Sequence, residues 1–161
     1  MTHFQVCHLG GHEEPAKLNM ISQLVNMGGE FLVSVAISKQ TGQVYMLNGG
    51  RVNGVNCFKQ DPQLGLVQMD NTQCSLNLNH MTPATGPQGT VSHAIFNENG
   101  SQLLASVKET PPTPEFIASW DVDARSGMLW TTYVPPPAQM GASSNHTHVS
   151  SKASDWQCPT Q

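Results

Sequence analysis

Val33-Ser34-Val35-Ala36-Ile37-Ser38 and Val91-Ser92-His93-Ala94-Ile95-Phe96 agree at four of six positions, about 58 residues apart, and a fixed period of this kind is the signature of a repeat architecture. Each stretch runs into a polar turn, Lys39-Gln40-Thr41-Gly42 or Asn97-Glu98-Asn99-Gly100, that ends on glycine. Both copies continue in step. Short apolar runs of strand length follow at 43–47 and 102–107, then at 54–58 and 115–120, and each third run leads to an aspartate-containing turn. A fourth run closes each copy at 65–69 and 127–133. Four short strands per copy, joined by turns, predict an antiparallel up-and-down sheet of the kind used as a propeller blade. A single β-sandwich is the alternative, but it does not require the first strand and its glycine to recur.

The composition agrees. The chain has 161 residues, of which 38% are hydrophobic, enough for one domain with a core. Aromatics at 6%, with 14 Gly and 11 Pro, argue against a helical bundle and for short segments separated by turns. Charged residues make up 11% and the net charge is -4, which leaves no basic field to attract nucleic acid or an anionic membrane. No run approaches the roughly 18 apolar residues of a spanning helix. The start, MTHFQVCHLGGHEEP, lacks the order of a signal peptide.

Between and around the copies the sequence predicts connections. Residues 71–90, with Pro83, Gly86, Pro87 and Gly89, show no sustained period and read as a long interblade loop. Residues 108–114, with three prolines, read as a stiff link. Residues 1–30 are read as a short helix, from the spacing of Leu18, Ile21 and Leu24 or Val25, or as the remnant of a preceding blade. Residues 135–161 are expected to form a disordered tail, leaving 31–134 as the two blades.

Four cysteines, Cys7, Cys57, Cys74 and Cys158, form no CxxC pair, and Cys57 with Cys74 is the first pairing to consider in an oxidising compartment because both fall within one repeat. His3, Cys7, His8 and His12 fall at helical spacing, but Gly10 and Gly11 interrupt it, so neither metal nor cofactor is assigned.

The stretches VSVAISKQTGQVYMLNGGRVNGVNCFKQDPQLGLV and TPATGPQGTVSHAIFNENGSQLLASVKETPPTPEFIASWDVD resemble the lactonase-type seven-bladed β-propeller family, in particular its fungal 3-carboxymuconate cyclase-like members. The resemblance covers about two thirds of the chain and implies an all-β, incomplete β-propeller. It further implies cyclic ester or muconate chemistry at a channel mouth, a small-molecule lactone or carboxylate ligand, and relatives that are often secreted. A family propeller is longer, with its last blade paired to its first. The expectation is therefore a fragment not catalytic in isolation, a decayed paralogue, or a short chain that self-associates through exposed blade edges. The alternatives are a lactone hydrolase or muconate cycloisomerase, or a non-catalytic surface or binding module.

His93 is the catalytic candidate. It lies on a first strand, its match in the other copy is Val35, and an imidazole there can serve as general acid or base. Arg51, after Gly49-Gly50, is the candidate clamp for a substrate carboxylate. Phe58 and Trp120 share a repeat position and read as packing between blades. Asn99-Gly100-Ser101 and Asn145-His146-Thr147 are glycosylation sequons, usable only on a secretory route.

Overall fold

A computed structural model describes residues 24–78, 80–82, 86, 88–108 and 115–131, together with the backbone of 3–4, 7–9 and 18–20. The described residues contain no helix, and hence none long and apolar enough to cross a membrane. The strands are β1 (His3–Phe4), β2 (Cys7–Leu9), β3 (Leu18–Met20), β4 (Val25–Asn26), β5 (Phe31–Ile37), β6 (Val44–Gly49), β7 (Gly54–Asp61), β8 (Gly65–Gln68), β9 (Cys74–Ser75), β10 (Val91–Phe96), β11 (Gln102–Val107), β12 (Phe116–Val122) and β13 (Leu129–Thr131). At the N-terminus β1 pairs with β4 and β2 with β3. The helical spacing at Leu18 is thus a strand, and the His3 and Cys7 positions also lie on extended backbone.

Two antiparallel sheets hold the core. Sheet 1 runs β5-β6-β7-β8, and sheet 2 runs β10-β11-β12-β13. Each is a meander joined by tight turns, as the recurring Gly and Asp positions predict. Asp61 Oδ1 accepts from Gln63 N and Leu64 N, both at 2.8 Å. Its counterpart Asp123 Oδ1 accepts from Arg125 N at 3.0 Å and Ser126 N at 2.6 Å. These donors hold both exposed carboxyls below the usual carboxylate range, led by Leu64 N at Asp61 and by Ser126 at Asp123.

The structural equivalence of the sheets differs by one residue from the sequence match. Beside the first turn Ile37 pairs with Val44, and beside the corresponding turn Phe96 pairs with Leu103. Ser38 N donates to Gln43 O, and Asn97 N to Gln102 O, in the same frame. Ile37 therefore stands where Phe96 does, Ala36 where Ile95 does, Val35 where Ala94 does, and Ser34, not Val35, where His93 does. Both hairpins carry a bulge at the same place, between Leu32 and Ser34 and between Val91 and His93. Strand side chains alternate with period two, so a one-residue slip moves every one of them to the opposite face. The identical alanines and isoleucines of the two copies, Ala36 with Ala94 and Ile37 with Ile95, thus lie on opposite faces of their sheets.

With the register corrected, the packing is front to back. The back of sheet 1, made of Val44, Met46, Phe58 and Leu66, buries itself with Met27. Its front, made of Ala36, Tyr45, Leu47, Val55 and Cys57, receives the back of sheet 2, including Ala94, Leu103, Ala105, Trp120 and Leu129. Phe58 and Trp120 occupy equivalent positions opposite Val44 and Leu103, each on the back of its own sheet. Hydrogen bonds tie the sheets together. Ala94 N donates to Ser34 Oγ at 3.1 Å, Gln40 Nε2 to Asn99 O, Gln43 Nε2 to Ser126 O at 2.7 Å and Tyr45 Oη to Gly127 O at 2.6 Å. Gly127, at φ +69°, holds a backbone conformation that side chains rarely adopt, with the Gln43 amide packed against it.

Two expectations are corrected here. The stretch 71–90 is not all loop: β9 pairs with the start of β7, Val55 to Cys74 and Gly54 to Ser75, and Leu76 is fully buried behind it. Cys57 and Cys74 are not bonded to each other. Cys57 is a free, buried thiol, and Cys74 is disulfide-bonded. The two sit on β7 and β9, where Val55, not Cys57, faces Cys74 across the ladder. The link through 109–114 and the tail 135–161 also lie outside the described residues.

Candidate functional site

The front of sheet 2 is the structural counterpart of the one surface that sheet 1 covers with another sheet. Ala36 and Val55 are buried on the front of sheet 1, whereas their counterparts Ile95 and Ile117 are 49% and 57% exposed. Trp130, on the same face opposite Asp121, is 50% exposed, and Leu104 is half-buried between them. Isolated apolar residues on a surface are ordinary, but several exposed on one sheet face, whose counterpart is buried under another sheet, mark a candidate place for docking. Polar groups frame it. Ser92 and Ser106 share a hydrogen bond of 2.7 Å, and Gln102 Nε2 donates to Asp121 Oδ1 at 3.0 Å.

His93 belongs to this face. It is exposed, with Ser106 opposite it on β11. Its counterpart Ser34 bonds the backbone of the neighbouring sheet, so the position is one from which a side chain reaches the next first strand.

Arg51 is placed elsewhere, on the loop between β6 and β7. Gly50, at φ +92°, turns the chain so that Arg51 N donates to Glu30 Oε2 at 2.6 Å and to Thr82 Oγ1 at 3.2 Å. The Thr82 hydroxyl also donates to Glu30 Oε2. The guanidinium Nε lies 3.7 Å from Glu30 Oε1, its side chain mostly in solvent. No described contact joins Arg51 to His93. Sequence reasoning did not find Glu30 or Thr82, because their meeting depends on how 28–30 and 80–82 fold back over the β6–β7 loop. Among the described residues no three His, Cys, Asp or Glu side chains gather as a metal site would require.

The interior polar groups serve cohesion. Asn48 Nδ2 and Asn56 Nδ2 both donate to Met27 O, at 3.0 and 2.7 Å, clasping the segment before β5 to the back of sheet 1. Tyr45 Oη lies between the sheets, and the Tyr45 ring meets Phe96 edge-on at 5.2 Å. Burial, then the nearby Cys57, pushes the Tyr45 hydroxyl far above its ordinary range. Burial also pushes the Cys57 thiol from 9.0 up to about 11, against the opposing bonds of Tyr45 and Phe58 N. Both groups are therefore neutral when folded. A raised folded value contributes stability that is complete below the unfolded value and is lost as pH rises through the folded one. The urea midpoint should accordingly fall as pH climbs from 9.0 toward about 11. At neutral pH the Cys57 peptide should escape iodoacetamide until urea is added; prompt labelling of folded protein would refute this burial.

No protein-family model, curated protein or solved structure matches the chain.

Proposed function

We propose that this chain supplies two neighbouring blades of a lactonase-like β-propeller and acts as an assembly unit, not catalytic in isolation, whose open front face receives a further sheet. The observation that carries the reading is the front-to-back order. Sheet 2 lies on sheet 1 by placing its back on the other's front, as successive blades do, whereas a two-sheet sandwich packs inner face to inner face. Such an order has no internal end, and the last front stays open until another back covers it. The complementary surface would be a four-stranded sheet with a small residue where Ala94 stands and a bulky one where Trp120 stands. His93 then acts as Ser34 does, as a polar contact between first strands. The enzymatic reading, a lactone hydrolase or muconate cycloisomerase with His93 as acid or base and Arg51 as clamp, draws support from the exposed imidazole but not from Arg51, which is already paired with Glu30.

Light scattering on size-fractionated protein tests the proposal. The parent chain should associate as its concentration rises, and I117K/W130K should remain monomeric with an unchanged urea transition, because both substitutions lie on the open face. A parent chain that stays monomeric across the same range and binds no apolar dye would overturn the docking role. Turnover of a simple lactone that is lost in His93→Ala would replace it with the enzymatic reading.

A further inference from the structure

Independently of the propeller reading, the sequon Asn99-Gly100-Ser101 occupies the turn between β10 and β11, where the Asn99 side chain is exposed. Its geometry is settled by its own third residue. Asn99 Oδ1 accepts from Ser101 N at 3.0 Å and from Ser101 Oγ at 2.7 Å. Gly100 takes φ +71° to close the turn. Both bonds engage the carbonyl oxygen, so Nδ2 meets no partner among the described residues. The backbone oxygen of Asn99 accepts from Gln40 of sheet 1, which anchors the turn through its main chain and leaves the side-chain amide outside the packing. A second, separate observation concerns compartment. Cys74 is disulfide-bonded, and structural disulfides persist where the surroundings are oxidising, as in the secretory pathway. That is also the compartment in which N-x-Ser/Thr is read as an acceptor.

We propose that Asn99 is an N-glycosylation site that takes an oligosaccharide from a lipid-pyrophosphate-linked donor. In the transfer a bond forms between Asn99 Nδ2 and the anomeric carbon of the first sugar. The bond from that carbon to the pyrophosphate oxygen breaks, the lipid pyrophosphate leaves, and Nδ2 loses one proton; nothing is oxidised or reduced. The glycan then keeps the β10–β11 turn, and the end of sheet 1 that Gln40 marks, in solvent. Any partner of the sheet 2 front must leave this end open.

The test directs the full chain into the secretory pathway of a eukaryotic host and collects both the secreted and the retained protein, since transfer takes place during entry and precedes any sorting by fold. Glycan release with a peptide N-glycosidase in heavy-oxygen water marks each occupied Asn as a labelled Asp. Most molecules should carry the label at Asn99. The label should vanish in N99Q and in S101A, persist in S101T, which keeps the hydroxyl, and persist in N145Q, which removes the other sequon. An unlabelled Asn99 peptide, or a glycan lost entirely in N145Q, overturns the proposal. The S101A and S101T pair separates a specific acceptor from a misfolded turn, because both leave Asn99 in place.

Discussion

Trp120→Ala is expected to destabilise the protein by about 3–5 kcal/mol, the usual cost of removing a large buried aromatic. Against a total of about 5–15 kcal/mol for a domain, that is enough to leave a substantial unfolded population. The ring is 2% exposed and lies in the one cluster that joins the two sheets. It pairs across the ladder with Leu103 and Thr131. Its removal opens a cavity between the sheets, where neither meander can collapse without losing its ladder. Urea denaturation should show a lower midpoint at an unchanged slope. Phe58→Ala removes the equivalent ring from the back of sheet 1, where the cluster includes Met27, and should cost a similar amount. The two losses should add, because the rings serve different layers. A Trp120→Ala protein with the parent midpoint would mean that the sheets do not rest on one another as described.

Gly54→Ala should be the most damaging small substitution, at about 2 kcal/mol or more, because a strained backbone and an immovable neighbour act together. Gly54 has φ +136°, a conformation that side chains rarely adopt, and a Cβ there would lie 2.2 Å from Cys74 O and 2.9 Å from Ser75 Cα. Those are backbone atoms of β9, held by the ladder to Gly54 and Val55 and tethered by the Cys74 disulfide. The expected result is release of β9, with Val55 and Leu76 exposed to solvent. Amide exchange at 74–76 should accelerate together with a drop in midpoint. Gly86→Ala is the control, since nothing lies within 4 Å of a Cβ there, and it should be silent. A Gly54→Ala protein with parental exchange at β9 would show that this strand can yield.

How much was legible in the sequence follows the same physics. The strand class, the four-strand units, the Gly and Asp turns and the shared place of Phe58 and Trp120 could be read directly, because each rests on local pattern or on a residue whose size has one use in a sheet. The short strand β9 could not, since two residues carry no period and its pairing is made with a strand some 20 residues earlier. The Arg51, Glu30 and Thr82 cluster was equally hidden, as its members are joined only by the path of two loops.

Local pattern makes this protein all-β and internally repeated, because side-chain alternation and turn chemistry are properties of short segments. The tertiary structure alone decided which face each repeated residue occupies, that Cys57 stays free while Cys74 is bonded, and which apolar face remains open. Identity between copies counts residues, whereas packing counts faces. A single position of register, set by the hydrogen bonds flanking the turn and by a bulge in each first strand, exchanges one face for the other.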